Sequence, residues 1–276
     1  MIRADLHLHT LASDGAYPPE EIALRVKNAG VELFAVTDHD NMGSLARAAE
    51  AAKKEGLFFV RGIEISAYNE YGKVHVLGYC CSENAVYEQF LRERVEGSYV
   101  RAEDIIKKAN DYFGTFLTVA DAEEFHLHKH SPMHSMHIVK AYAKLLKKDP
   151  VELYWNTFSF AKPAYSELCR PTPEEAIEVI HGMGGIACLA HPVQIHTSAS
   201  LLMGFIDGLR ARGLDGIECY HTSHTESEAE SFAAYAKEHG LLITGGSDFH
   251  VDGTERILGK PEFFAFDALL QALGLQ

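Results

Sequence analysis

The sequence predicts an α/β fold of the barrel type with an inserted, mostly helical domain, and three observations predict it. Short apolar runs alternate with amphipathic ones, as in βα units. Candidate strand ends recur at near-constant intervals: His9 to His39 is 30 residues, His39 to Glu64 is 25, His191 to Glu218 is 27 and Glu218 to Asp248 is 30. A barrel of ~250 residues in eight units implies ~31 per unit, which these intervals fit. Third, 116 residues separate His75 from His191. That is far more than one crossover requires, so a second domain is expected between them.

In chain order, the expected strands are Arg3–His9, Leu33–His39, Phe58–Ser66, Lys73–Cys80, Gly185–His191, Leu214–Tyr220 and Leu242–Asp248. Pro18-Pro19-Glu20-Glu21 opens a first helix and Gly30 closes it, proline and acidic residues suiting a first turn and glycine a C-terminus. Ser44–Glu55, the helix after Pro171-Thr172-Pro173-Glu174-Glu175, Ser198–Arg212, Glu226–His239 and Asp267–Leu273 complete the barrel set. Glu64 and His75 are 11 residues apart, too close for a helical crossover. Asn69-Glu70-Tyr71-Gly72 reads as a hairpin turn, and an antiparallel pair there places His75 near Glu64. The expected domains are a first barrel part over 1–98, an inserted helical domain over 99–168 and a second barrel part over 169–276. Within the insert, helices are expected at Tyr99–Tyr112, Val119–Phe125 behind a Thr118 cap, Met136–Lys148 and Pro150–Phe158.

Composition narrows function. The 276 residues carry a net charge of −14 with histidine neutral. That argues against duplex nucleic acid as a partner, since phosphate neutralisation requires clustered Lys and Arg. No run reaches the ~18 apolar residues of a spanning helix, and no membrane partner is expected. The five cysteines are odd in number and lack CxxC spacing. With no secretory leader apparent, a reducing cytoplasm is the expected location.

The 16 histidines cluster. Asp5-Leu6-His7-Leu8-His9 sets two imidazoles at i, i+2, and Gly246-Ser247-Asp248-Phe249-His250 repeats the spacing. Between them stand Asp38-His39-Asp40, Glu64, His75 and Ala190-His191-Pro192, each at an expected strand end. A lone HxH carries little. Several imidazoles and carboxylates meeting at one barrel mouth would repel or stay unpaired unless cations compensate them. Nine candidate ligands follow: His7, His9, Asp14, His39, Glu64, His75, His191, Asp248 and His250. Asp14 lies in Ser13-Asp14-Gly15, which also reads as a plain turn, and Asp38 reads as orienting a ligand. Nine groups exceed one ion and suit two or three divalent ions, and imidazole with carboxylate suits Mn, Fe or Zn. Such ions lower the pKa of bound water and neutralise charge on phosphate esters.

The segments DLHLHT, SDG, TDHD, GIEIS, VHVLGY, AHP and GSDFH resemble the PHP (polymerase and histidinol phosphatase) family. The resemblance spans both barrel parts, and seven ordered motifs make it specific. It implies a distorted (β/α)7, TIM-like barrel holding up to three ions. It further implies that His7, His9, Glu64 and Asp248 hold one ion, that Glu64, His75 and His191 hold a second, and that Asp14, His39 and His250 hold a third. The insert is similar to the branch containing nucleoside 3′,5′-bisphosphate phosphatases, short-RNA exonucleases and cyclic ribose-phosphate phosphodiesterases. Lys162-Pro163-Ala164-Tyr165 matches a phosphate-gripping element of that branch. Ser135-Met136-His137 stands where Arg-Pro-His is expected, keeping His137 and losing the guanidinium. The implied activity is hydrolysis of a small phosphorylated metabolite or nucleotide by hydroxide made available on ions that Glu64 and Asp248 hold. His137, Lys162, Ser135 and His224 are the candidate substrate contacts, with His224 also the candidate acid. The alternatives are a 5′→3′ exonuclease on short RNA and a noncatalytic metal-binding module. The run Phe125-His126-Leu127-His128-Lys129-His130 reads either as an exposed loop or as a contact set for an anion.

Overall fold

The computed structural model describes residues 1–126 and 131–275. The chain divides into two compact units, 1–88 with 171–276 and 89–170.

The first unit is built on an eight-stranded, nearly closed barrel. Its strands are β1 (Ile2–Asp5), β2 (Leu33–Val36), β3 (Phe58–Asn69), β4 (Gly72–Tyr79), β5 (Ile186–Leu189), β6 (Gly216–His221), β7 (Leu242–Gly246) and β8 (Phe263–Ala265), in sheet order β7-β6-β5-β4-β3-β2-β1-β8. β1, β2 and β3 run parallel, as do β5, β6 and β7. The Asn69–Gly72 hairpin reverses β4, which pairs antiparallel with both β3 and β5. The ring closes through Leu6 N to Gly245 O at 3.1 Å and a parallel bridge between Leu8 and Phe249. Gly246 makes that closure possible, because a Cβ there would lie 2.4 Å from the His7 Cβ.

Helices α1 (Pro19–Asn28), α2 (Leu45–Glu55), α7 (Pro173–Gly182), α8 (Ala199–Ala211), α9 (Glu226–Glu238) and α10 (Asp267–Ala272) complete this unit. Pro at N1 and acidic residues in the first turn start α1. A Thr172–Glu175 capping box starts α7, and a Thr225–Glu228 box starts α9. Such boxes satisfy amide donors that the helix leaves open. Leu6, Leu33, Leu77, Tyr79, Cys188 and Phe263 are among the buried core side chains.

The expected strands are trimmed at the mouth. β1, β2, β5 and β7 stop before His7, His39, His191 and Asp248, so these residues sit on the turns that leave the strands rather than on the pleat. β8, a three-residue strand antiparallel to β1, was not expected.

The second unit packs the later part of α3 (Ala85–Phe113) with α4 (Val119–Glu123), α5 (Ser135–Leu146), α6 (Pro150–Leu153) and a π-helical turn over Tyr154–Phe158. Ile105, Ile106, Ile138, Val139, Tyr142 and Phe158 form its core. The expected boundary at 98/99 falls inside α3, which runs unbroken for 29 residues. Leu127, His128, Lys129 and His130, part of the expected histidine run, lie outside the described residues. No helix among the described residues is long and apolar enough to cross a membrane.

Candidate metal centre

Four turns at one end of the barrel, those leaving β1, β2, β5 and β7, together with strands β3 and β4, bring the nine candidate ligands together. Glu64, on β3, is at the middle and 1% exposed. Its Oε2 lies 3.2 Å from His7 Nε2, 3.1 Å from His9 Nε2 and 3.0 Å from His39 Nδ1. Its Oε1 lies 2.5 Å from His75 Nδ1 and 3.1 Å from His191 Nε2. The hairpin register accounts for His75, which sits opposite Ser66, two residues from Glu64 on the same strand face.

Asp248 Oδ1 lies 3.5 Å from His7 Nε2 and 3.2 Å from His9 Nε2. Asp14 Oδ1 lies 3.2 Å from His250 Nε2 and 3.7 Å from His9 Nδ1, and Asp14 Oδ2 lies 3.7 Å from His39 Nε2. Asp14 reaches this position because the turn folds back, with Gly15 N bonded to Thr10 O at 3.0 Å. A Cβ on Gly15 would lie 2.6 Å from the His9 backbone.

These donors fit divalent ions. Ligand atoms ~2.0–2.1 Å from a common ion at tetrahedral angles stand about 3.4 Å apart. The spacings of 3.1–3.5 Å among His7, His9, Glu64 and Asp248 match that edge. His7 Nε2, His9 Nε2 and Glu64 Oε2 are buried without a hydrogen-bond partner, a costly arrangement that a shared cation relieves. Three donor groups cover these residues: His7, His9, Glu64 and Asp248; His39, Glu64 and His75; and His9, Asp14, His39 and His250. His191 joins the second through Glu64 and lies 3.3 Å from His75 Nδ1. His9 adds to the third.

Electrostatics follow the same pattern. Burial alone would raise the Glu64 carboxyl, yet the His75, His39 and His7 rings hold it well below the usual carboxylate range. Asp14 and Asp248 are held low against burial in the same way, Asp14 chiefly by His250 and Asp248 chiefly by His7. Burial opposes charge on His9, but Asp248 and Glu64 outweigh it and push the ring up to about 9. His75 goes the other way, to about 3, because burial dominates there. His191 has φ of 26° and Asp248 φ of 54°, a sparsely populated region that costs backbone energy and tends to occur where side-chain aim matters.

Residues behind the ligands fix their aim. Glu218 Oε1 accepts from His7 Nδ1 at 2.9 Å, and its Oε2 accepts from His191 N at 2.8 Å. That sets the His7 tautomer with Nε2 free to ligate, the carboxylate–histidine pairing of metal sites. Glu218 is held at about 2: burial raises it, and His7 and His221 more than reverse that. It was absent from the sequence-derived ligand set, although it stands on β6 at the same sequence interval as its neighbours. Asp38 does not act on an imidazole through its hydrogen bonds. It accepts from Thr10 N, Thr10 Oγ1 and Ser13 Oγ, each at 2.7 Å, and so braces the loop that carries Asp14. Asp5 accepts from Ser247 N at 2.9 Å and Gly259 N at 2.8 Å, tying β1 to the last ligand loop.

His221 enters the site, with Nε2 3.4 Å from Asp248 Oδ2. His224 stands behind it, its ring 5.5 Å away and its Nδ1 2.8 Å from Cys219 O. With Nδ1–H donated there, His224 presents Nε2 as an acceptor, and burial lowers its pKa. Arg256, also outside the expected set, places Nη1 2.8 Å from Asp248 Oδ2.

In the second unit, Ser135 is the half-buried first residue of α5. His137 is buried and its Nδ1 accepts from His134 N at 3.1 Å. Lys162 is exposed on a turn closed by Lys162 N to Ser159 O. Among the described residues, no cluster of three or more metal-competent donors includes a residue of this unit.

Known proteins resemble this chain. The profile described as PHP domain matches residues 5–93. A 3′,5′-nucleoside bisphosphate phosphatase of Chromobacterium violaceum is 33% identical over 92% of this chain and 89% of its own length. A 5′-3′ exoribonuclease of Haemophilus influenzae is 31% identical over 89% of each. A solved Bifidobacterium adolescentis protein, assigned as a metal-dependent phosphoesterase, superposes with a TM-score of 0.84 at 25% identity over 98% of this chain and 94% of its own.

Proposed function

The chain belongs to the PHP family and is a metal-dependent phosphoesterase, and from that premise we propose that it hydrolyses a small phosphorylated metabolite or nucleotide. The substrate class is a phosphomonoester such as a nucleoside 3′,5′-bisphosphate, or a cyclic ribose phosphate. One observation carries this reading: Glu64 turns each of its two oxygens to a different set of imidazoles, the disposition of a carboxylate shared between neighbouring cations.

His7, His9, Glu64 and Asp248 would hold one ion, Glu64, His75 and His191 a second, and Asp14, His39 and His250 a third, with Mn, Fe or Zn the metals these donors suit. Bound divalent ions supply Lewis acidity, which makes hydroxide available near neutral pH and offsets charge on phosphoryl oxygens. The protein's own groups do the rest. Glu218 keeps His7 in the ligating tautomer, and Asp38 and Asp5 hold the loops in register. His224 is proposed as the acid that gives a proton to the leaving oxygen. His137, Lys162 and Ser135 are proposed as phosphate contacts on the strength of their motifs alone. The five cysteines carry no disulfide among the described residues, which suits a reducing cytoplasm.

The test is turnover of a panel after reconstitution with Mn, Fe and Zn separately, with metal counted per chain. The panel comprises a nucleoside 3′,5′-bisphosphate, a cyclic ribose phosphate, histidinol phosphate and a 5′-phosphorylated oligonucleotide. Turnover of the small esters is expected. Preference for the oligonucleotide selects the exonuclease reading, which the H. influenzae relative favours. No turnover of any ester, with stable co-purification of a partner, selects the noncatalytic module.

A further inference from the structure

We propose that Arg256 is an anion-binding group of this site, fixed through Nη1 on Asp248 and presenting its remaining N–H edge to a non-bridging oxygen of the substrate's phosphoryl group. The proposal rests on the phosphoesterase reading above.

Asp248 divides its oxygens. Oδ1 faces His7 and His9, while Oδ2 faces Arg256 Nη1 at 2.8 Å and His221 Nε2 at 3.4 Å. A cation on the Oδ1 side therefore leaves the Arg256 contact intact. The guanidinium also lies 3.2 Å from His250 Nδ1. That nitrogen is committed as donor to Asp248 O at 2.8 Å, so it is a neighbour of Arg256 rather than an acceptor.

Asp248 pairs with the guanidinium through Nη1 alone. Among the described residues no hydrogen bond engages Nη2 or Nε, and the side chain is 35% exposed. A purely structural arginine–carboxylate pair favours the two-pronged fork. Here a single prong is anchored and the other donors are left over, in a geometry that suits a second oxyanion. The loop is preorganised for the role. Gly259 N bonds Asp5 Oδ2 at 2.8 Å, Thr254 Oγ1 bonds Val251 O at 3.1 Å, and Ala16 N bonds His250 O at 2.8 Å. A guanidinium held beside a metal-facing carboxylate puts positive charge where a transferring phosphoryl group carries its negative charge.

The experiment uses the full chain reconstituted with manganese, as wild type, Arg256→Ala and Arg256→Lys. Three quantities are read: manganese per chain, the dissociation constant of inorganic phosphate by calorimetry, and kcat and KM for p-nitrophenyl phosphate. In Arg256→Ala, phosphate affinity is expected to fall about 10- to 100-fold, the range for a hydrogen bond to a charged group. Manganese per chain stays unchanged, and millimolar guanidinium restores part of the affinity. Arg256→Lys keeps the charge without the fork and falls between. Unchanged phosphate affinity overturns the proposal. So does a loss of manganese that parallels the loss of phosphate, which would make Arg256 a positioning residue for Asp248. If Arg256→Ala does not fold, Arg256→Lys against wild type decides by the same readings. Wild type that binds manganese and phosphate but turns over no ester removes the proposed function and leaves the Arg256 contact standing.

Discussion

The barrel mouth and the helical unit are both rich in histidine, and they use it differently. At the mouth, each ring faces a carboxylate oxygen within 3.7 Å, supplied by strands far apart in sequence. In the helical unit, His126 contacts Ser131 Oγ at 3.2 Å, and His134 N bonds the His137 ring at the start of α5. The first pattern gathers charge that is largely buried. Among the described residues, the second engages a local backbone amide and a hydroxyl. Local density of histidine is thus a poor guide to a metal site, and convergence with carboxylates is a good one.

Four expectations sharpen this contrast. The largest effect belongs to Glu64→Gln, which weakens the ligand set on both sides of the carboxylate. At least one ion per chain is lost and kcat falls about a thousandfold, the upper range for removing one electrostatic stabiliser. Elemental analysis with steady-state kinetics reads both. Next, chelation acts on one unit only. Metal at 100 times its dissociation constant adds ~2.7 kcal/mol to the state that binds it. Calorimetry of holo and chelated protein should therefore move the barrel transition and leave that of 89–170 in place.

Glu218→Gln keeps a hydrogen bond to His7 but removes the charge behind it. Metal affinity falls about 10- to 100-fold, as for other outer partners of ligating histidines, and competition with a chelating dye reads it. Smallest is His126→Asn, which costs about 1 kcal/mol of stability in the helical unit and leaves the metal count as it was. A drop in metal count with His126→Asn would break the comparison.

His9 contributes to the pH dependence of the chelated protein. Its folded pKa of about 9 exceeds the ordinary 6.5 of an imidazole. The group therefore contributes stability that is full below about 6.5 and lost as pH rises through about 9. His9→Gln should flatten this decline in denaturant midpoints.

The mouth was legible because its residues announce themselves in pairs at strand ends, and because a four-residue turn after Glu64 leaves little room for anything but a hairpin. The nine candidate ligands come from that grammar. Their exact perches did not, since the strands end early and Asp248 and His191 take left-handed turns that periodicity does not encode. β8 is three residues long, too short to show alternation. The length of α3 was hidden because its amphipathic pattern is weak over 29 residues. Arg256 was invisible for a different reason. Its position depends on a loop pinned to Asp5, 254 residues away in sequence, and no local pattern predicts that.

The most direct measurement is anomalous diffraction at the manganese edge from crystals of the manganese-loaded protein. The account predicts peaks among His7, His9, Glu64 and Asp248 and, across Glu64, beside His75 and His191. Water alone in that cluster at saturating manganese, with manganese bound elsewhere or nowhere, would contradict it.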